Sequence, residues 1–253
     1  MRLRKQKVEP KPELVPLAFV DIDDTMLCTQ PIYDAARMTV ARSMHPANPV
    51  RGAEFLRAVD TAYRNFIDPT VSVGSFGRAL QAGQDAYAAM SGRFELAGIT
   101  IGAPIPLAEE DITAIGSVVT SAKPSVLPGV EMALEELQHA GYTLVAFTKG
   151  DETVQRTKLI EAGLYGFFAR VVVTPVPKTR DLFANTLCAM HGDPTRSVSF
   201  GDSLAEDGAP ALEAGIHSFY MVSPFYKEPL GHETLLDAVI SCLGSGEADE
   251  QTT

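Results

Sequence analysis

Short apolar runs alternate with amphipathic segments through the second half of the chain. Four runs have the length and side-chain types of buried strands, and they lie at 142–147, 171–173, 197–200 and 217–222. Helical spacing of apolar residues separates these runs, and the predicted helices cover 128–141, 153–162, 180–191 and 232–243. A further helix is predicted to end at Gly215. This alternation predicts an α/β architecture, a parallel sheet with helices on both faces.

The first half of the chain follows a different pattern. One buried strand is predicted early, at Leu17–Val20. From residue 29 to residue 121 no strand alternation is convincing, and amphipathic helices are predicted at 31–38, 51–66, 75–90 and 108–119, with a Gly- and Pro-rich loop at 98–106. We therefore predict an inserted α-helical domain over 29–121. The core would comprise 14–28 and 122–243, and 1–13 and 244–253 would be flexible tails.

Composition and charge exclude several classes of function. The 253 residues are 45% hydrophobic, and their formal net charge is −11. Such a chain repels a nucleic acid unless a basic patch intervenes, and the basic N-terminal segment is more typical of a solvated tail than of a binding arm. No apolar stretch has the length of a membrane helix. We predict neither a nucleic-acid nor a membrane partner. The three widely spaced cysteines predict a cytoplasmic location.

Three acids follow the first predicted strand within four positions, namely Asp21, Asp23 and Asp24. Ligands of parallel sheets bind beyond the carboxyl ends of the strands, and unpaired buried carboxylates are costly, so this cluster needs a cation, a substrate or both. Asp21 could attack a phosphorus atom, while Asp23 could protonate the leaving oxygen and later deprotonate water. The alternative is an acidic turn in which Asp24 and Thr25 cap a helix.

Other predicted strand ends carry compatible polar residues. Thr148 and Lys149 precede a glycine-containing loop and a helix, which favours phosphate binding, although capping is the commoner role for such a Thr. Lys178 could neutralise phosphate and hold the nucleophilic carboxylate, or it could be a solvated loop charge. Asp202 could bind Mg²⁺ or cap a helix, and Asp207 could orient the ligands or hold Lys178.

In chain order these features are a DxDxT run at 21–25, a strand-final Thr148, Lys178 and a GDxxxxD run at 201–207. Together they resemble the haloacid dehalogenase-like hydrolase superfamily, over about residues 16–28 and 122–243. The resemblance implies a Rossmann-like three-layer core with a helical cap domain inserted between the first and second motifs. It implies that Asp21 is the nucleophile and Asp23 the general acid/base. Thr148, Lys149 and Lys178 would bind the phosphate. Mg²⁺ would be held by Asp21, the Asp23 backbone carbonyl and Asp202, with Asp207 in support.

The acid at position 23 distinguishes classes within this superfamily. Its dehalogenases lack an acid two positions after the nucleophile, since a halide leaves without a proton, whereas an alkoxide benefits from one. The resemblance therefore implies a Mg²⁺-dependent phosphatase that forms an aspartyl-phosphate from a small phosphorylated metabolite; a nucleoside monophosphate, a sugar phosphate and a phospho-acid are all compatible. A phosphomutase with the same acid pair is an alternative, as is a non-catalytic binding protein on this fold.

Overall fold

The structure is a computed structural model of the chain, and it describes residues 13–67, 70, 72, 74–96, 105–225 and 231–250. The tail predicted at 1–13 lies outside the described residues except for Glu13. Most of the loop predicted at 98–106, and the last three residues of the tail predicted at 244–253, also lie outside them.

The described residues form a five-stranded sheet whose neighbouring strands are all parallel. The strands are β1 (Leu17–Val20), β2 (Thr143–Lys149), β3 (Arg170–Thr174), β4 (Val198–Gly201) and β5 (Ser218–Met221). Their order is β3-β2-β1-β4-β5, so the first strand of the chain lies in the middle. The end of β1 therefore lies between the ends of β2 and β4, which is where α/β sheets bind ligands.

Alternate residues of β1 supply two separate cores. Ala18 and Val20 are buried on one face of the sheet, whereas Leu17 and Phe19 are buried on the other. The helices that pack on the first face include α5 (Val130–His139), α6 (Glu152–Glu161) and α9 (Leu235–Glu250), and those on the second face are α7 (Arg180–Ala189) and α8 (Ala209–Glu213). Burial on both faces explains the nearly continuous apolar runs, and the predicted three-layer α/β core is confirmed.

The largest difference from the predicted helices is at the C-terminus. The sequence predicts a helix at 232–243 and a flexible tail after it, but α9 continues to Glu250. Leu235, Ala238, Val239 and Cys242 anchor α9 in the core. No proline follows them, so the backbone hydrogen bonding of the packed segment can continue into the polar residues. The other observed helices differ from the predictions mainly at their ends.

Residues 30–121 contain α1 (Gln30–Met44), α2 (Pro49–Phe66), α3 (Ser75–Leu96) and α4 (Glu109–Ser121). We call α1–α4 the helical block. It has a hydrophobic core of its own, which includes Val40 of α1, Leu56 of α2, Leu80 of α3 and Ile112 of α4. The helical block follows β1 in the chain and precedes α5, so both of its ends lie near the carboxyl edge of the sheet. Within the described ranges, no helix is long and apolar enough to cross a membrane.

Candidate active site

The turn after β1 places the first two acids at the carboxyl edge of the sheet. The amide of Asp21 donates a hydrogen bond to the carbonyl oxygen of Phe200 at 3.0 Å, which extends the pairing with β4 by one residue. The carbonyl of Ile22 then accepts from the amides of Met26 and Leu27 at 3.0 and 2.9 Å, and this turn redirects the chain. As a result Asp21 is buried, whereas the side chain of Asp23 is 25% exposed.

Lys178 connects two buried acids. Its Nζ lies 2.7 Å from Oδ1 of Asp21 and also contacts the carboxylate of Asp207. Burial alone would lower the pKa of Lys178, but Asp207 and Asp21 raise it above its ordinary value, so the amine stays protonated. The structure thus brings together three residues that the sequence singled out. The buried ammonium fixes the orientation of the Asp21 carboxylate.

Asp21, Asp202 and Asp207 form an acidic cluster whose donor atoms fit a hard divalent cation. One carboxylate oxygen from each lies within 4.8 Å of the other two. Burial raises the pKa of Asp21 to about 7, an effect that Lys178 opposes and Asp207 reinforces. Loss of water contacts, followed by repulsion from Asp21 and Asp207, raises the pKa of Asp202 to about 8. The Asp202 side chain is exposed, so repulsion by Asp21 and Asp207 is the more important cause of its raised pKa. Three carboxylates against one ammonium leave an excess of negative charge, which a divalent cation such as Mg²⁺ would balance.

The end of β2 contributes Thr148 and Lys149, whose surroundings differ. Thr148 is buried, and its hydroxyl makes only a 3.5 Å contact with the carbonyl of Lys149. The Nζ of Lys149 lies 3.0 Å from Oε1 of Glu206, a partner that the sequence analysis did not identify. This ion pair occupies the amine of Lys149, whereas the Thr148 hydroxyl has no comparably short contact. The carboxylate of Asp151 accepts from the amides of residues 153 and 154, so the start of α6 is already capped.

Asp23 is held by two residues of α6 whose role sequence reasoning missed. Nζ of Lys158 lies 2.7 Å from Oδ1 of Asp23, and Nε2 of Gln155 donates to Oδ2 at 2.7 Å. Both residues of α6 are buried. Burial would lower the pKa of Lys158, but Asp23 raises it above its ordinary value. Their i and i+3 positions were the available signal, since they place both side chains on one face of a helix.

The third acid of the motif has a structural role. Oδ1 of Asp24 accepts hydrogen bonds from the amides of Thr29 and Gln30 at 2.9 and 2.7 Å, at the start of α1. The capping alternative considered for this run therefore holds for Asp24 but not for Thr25, whose buried hydroxyl has no hydrogen-bond partner among the described residues. Asp21 and Asp23 point to other partners.

One cavity of about 300 Å³ is lined by the five acids Asp21, Asp23, Asp24, Asp202 and Asp207, together with Thr148, Gln155, Lys149, Lys158 and Lys178. The sheet side contributes the acids, Thr148 and the lysines. The helical block contributes a second wall, which includes Tyr33, Arg37 and Phe76. A cavity of this volume suits a small metabolite.

The matches with known proteins agree with this geometry. A family model for haloacid dehalogenase-like hydrolases matches residues 15–215, which is most of the chain. The chain belongs to this family. The matched region spans β1, the helical block and the strands β2 to β4, so it includes every site residue described above.

One curated relative and two solved structures show how far the similarity extends. The chain is 31% identical over 101 residues to a phosphoserine phosphatase of Thermus thermophilus, a match that covers 37% of this chain and 39% of that protein. A haloacid dehalogenase-like family hydrolase of Xanthomonas campestris has a TM-score of 0.68 at 21% identity, covering 97% of this chain and 98% of the other. The L-2-haloacid dehalogenase of Xanthobacter autotrophicus has a TM-score of 0.60 at 12% identity, covering 91% and 99%.

These similarities have different weight. The two structural matches, at such low identity, show the fold alone. The chain spans about two fifths of the length of the curated relative, so the activity of that phosphatase is not transferred by the match. Membership of the haloacid dehalogenase-like hydrolase family establishes a hydrolase. The bond that it cleaves has to be argued from the site.

Proposed function

We propose that the protein is a Mg²⁺-dependent phosphatase that hydrolyses a small phosphorylated metabolite, such as a nucleoside monophosphate or a sugar phosphate. One observation carries the proposal: a second carboxylate, Asp23, lies two residues after the buried Asp21 in the same cavity. A carbon–halogen bond needs no proton donor to break, whereas a phosphate ester with an alkoxide leaving group does. The phosphatase among the curated relatives is consistent with this choice.

In the first step, a carboxylate oxygen of Asp21 attacks phosphorus, and the bond between phosphorus and the alcohol oxygen breaks. The electron pair of that bond goes to the alcohol oxygen, which takes a proton from the carboxyl group of Asp23. In the second step, Asp23 takes a proton from water, and the resulting hydroxide attacks the phosphorus of the aspartyl-phosphate. The bond to Asp21 breaks, which restores its carboxylate and releases inorganic phosphate.

The remaining residues bind and orient the transferring group. Lys178 holds Asp21 in place and offsets negative charge on the phosphoryl oxygens, and Thr148 offers a buried hydroxyl to them. Asp21 and Asp202, with the backbone carbonyl of Asp23, would hold Mg²⁺, and Asp207 would support them through Lys178. The cation supplies charge neutralisation at the phosphate. We propose that the helical block acts as a cap, which excludes water and contacts the alcohol half of the substrate.

The test is phosphate release from a panel of phosphorylated metabolites, with Mg²⁺ or with EDTA. We expect turnover with Mg²⁺ only, and at least about a 10³-fold loss in Asp21→Asn, because the nucleophile is removed. Asp23→Asn should lose about 10²-fold or more on alkyl esters. Asp181→Asn, which changes an exposed acid of α7, is the matched control and should retain full activity.

Two results would contradict the proposal. Folded protein that releases no phosphate from any compound of the panel, the acyl phosphate acetyl phosphate included, would rule out a phosphatase. Full activity in Asp21→Asn would rule out the aspartyl-phosphate route. Isomerised sugar phosphate in place of free phosphate, followed by NMR, would identify a phosphomutase instead.

A further inference from the structure

The helical block contributes a wall that the proposed reaction does not use. Tyr33 and Arg37 come from α1, and Phe76 comes from α3. The rings of Tyr33 and Phe76 meet edge to face with centroids 4.9 Å apart. The guanidinium carbon of Arg37 lies 5.7 Å from the Tyr33 centroid and 5.3 Å from the Phe76 centroid. We call these three residues the aromatic wall.

Arg37 is a buried cation whose charge is already matched. It is 4% exposed, and its Nη2 and Nη1 lie 2.5 Å from Asp60 and 3.1 Å from Asp34. Asp34 also pairs with Arg57 at 2.6 Å, so two arginines and two acids balance and the group presents little net field to a further anion. The Nε of Arg37 has no hydrogen-bond partner among the described residues and is closed to solvent, so Arg37 contributes to the wall through its place over the two rings.

The lysines that line the cavity are, like Arg37, already paired with acids. Lys149 is paired with Glu206, Lys158 with Asp23, and Lys178 with Asp21 and Asp207. In the part of the chain that the structure describes, every cation that lines the cavity therefore has an acidic partner. A divalent metal ion would balance the negative charge that remains at the acid cluster and would attract the phosphoryl group. A second anionic group on the substrate would have no matching cation.

We propose that the aromatic wall binds the alcohol half of the substrate, and that this half is an uncharged, hydroxyl-bearing ring, namely a sugar or a nucleoside. The proposal rests on the phosphatase function proposed above and narrows its substrate class. A sugar or base ring packs against the atoms of Tyr33, Arg37 and Phe76 that line the cavity. Carboxylate-bearing esters such as phosphoserine are disfavoured by charge.

The experiment compares kcat/KM for ribose 5-phosphate, glucose 6-phosphate and adenosine 5′-monophosphate with kcat/KM for phosphoserine and 3-phosphoglycerate. Acetyl phosphate, which is too small to need the aromatic wall, is the reference. We expect the best ring ester to exceed both carboxylate esters by at least about tenfold. Equal or better turnover of a carboxylate ester would overturn this inference and leave the phosphatase proposal intact. No turnover even of acetyl phosphate would overturn both.

Variants of the aromatic wall test the contact itself. Arg37→Lys keeps a charge beside Asp60 but removes the planar guanidinium from the two rings, and Phe76→Leu removes one of the rings. We expect each to lower kcat/KM for the ring ester about tenfold relative to acetyl phosphate, mainly through KM. Arg42→Met, which changes an exposed arginine on the same helix, should leave the ratio unchanged. An equal loss on both substrates would show that the wall only supports the fold, and would overturn the proposal.

A different observation carries a second inference, which also rests on the proposed phosphatase function. Each carboxylate oxygen of Asp23 accepts a hydrogen bond from a different residue of α6, Lys158 or Gln155, and both bonds are 2.7 Å long. Two bonds at separate oxygens prevent rotation of the carboxyl group. We infer that Gln155 and Lys158 are positioning residues, which hold Asp23 where it can reach the leaving oxygen.

Leaving groups of different basicity test this inference. An alkoxide needs the proton of Asp23, whereas p-nitrophenolate leaves without one. In Lys158→Met and Gln155→Leu we expect kcat for an alkyl phosphate to fall about tenfold or more, with kcat for p-nitrophenyl phosphate within about threefold of the parent protein. Arg156→Met, a change of a neighbouring cation of α6 that pairs with Glu152, is the control.

Two outcomes would overturn this second inference. An equal loss with both leaving groups would indicate a purely structural role for the pair. Unchanged kcat on the alkyl ester would show that Asp23 needs no positioning. If Asp23→Asn is inactive on the alkyl ester while Lys158→Met is not, the phosphatase proposal stands and only the positioning role fails.

Discussion

The three acids after β1 have three different environments, although they lie within four positions of the sequence. Asp21 is buried against Lys178, Asp23 is held by α6, and Asp24 caps α1. Asp24 also has φ +59°, in the left-handed region that non-glycine residues rarely adopt. Asp and Asn tolerate that region best, because a short polar side chain can bond locally.

Asp24→Ala should therefore destabilise the protein without removing a reacting group. We expect the free energy of unfolding to fall by about 1–2 kcal/mol, since the change removes a helix cap and leaves an unfavourable φ. Urea denaturation is the measurement. Asp24→Asn keeps both an acceptor and a tolerant backbone, and it should lose less than half as much. Equal losses in the two variants would contradict the capping role.

At the residue scale, sequence reasoning identified the acids and cations that stand at strand ends, because few apolar strands end in such residues by chance. Asp21, Lys178 and Asp207 are in contact as that reasoning implied. Lys158 and Gln155 were not assigned a role, because a lysine and a glutamine on an amphipathic helix have the same pattern as solvated residues. Only the tertiary structure shows that both are buried against Asp23.

At the scale of single elements, the end of β4 shows why a glycine precedes Asp202. A Cβ atom at Gly201 would overlap the carboxylate of Asp207, which lies directly against the strand. Asp207 is held there by Lys178 and by the amide of Ser203, which donates to Oδ2 at 3.1 Å. The glycine thus permits a close approach between the strand and the π-helical turn that carries Asp207.

Gly201→Ala should displace Asp207 and release Lys178 from one of its partners. We expect kcat/KM for phosphate esters to fall at least about tenfold, with the circular dichroism spectrum retained, because the overlap is confined to the site. Gly166→Ala is the matched control, since a Cβ at Gly166 meets nothing within 4 Å. Unchanged activity in Gly201→Ala would show that Asp207 can move without consequence.

The sequence predicted the strands best where both faces of the strand are buried. The apolar runs of β2 and β4 stand out because both faces of the sheet are covered. The end of α9 was predicted less well. Residues 244–250 are small and polar like a frayed terminus, but in the structure they continue a helix that is anchored by Leu235 and Cys242.

At the scale of the whole molecule, charge links the site to stability. The chain carries 32 acidic and 21 basic residues, and several of its acids converge at the carboxyl edge of the sheet. The pKa of Asp21 is raised to about 7 and that of Asp202 to about 8. A carboxyl whose pKa is raised on folding contributes stability at low pH and loses it as the pH rises through the folded value. Without a cation, these two groups therefore oppose folding most strongly above about pH 7–8.

Mg²⁺ should consequently stabilise the protein more at pH 8 than at pH 6. Protonated carboxyls do not bind the cation, so we expect roughly tenfold weaker binding at the lower pH and a smaller rise in melting temperature. Thermal denaturation with Mg²⁺ or with EDTA at both pH values is the measurement. Asp202→Asn should reduce the shift at pH 8. An equal or larger shift at pH 6 would contradict this prediction.

The sequence by itself determined the parallel α/β core, the presence of the helices α1–α4 and the polar residues at the strand ends. These features depend on local periodicity and on burial, which a single chain displays directly. The tertiary structure alone decided which polar residues meet. The partners of Asp23, the pairing of Lys149 with Glu206 and the aromatic wall opposite the acids join segments far apart in the chain. Such contacts depend on packing in three dimensions, which no spacing along one sequence encodes.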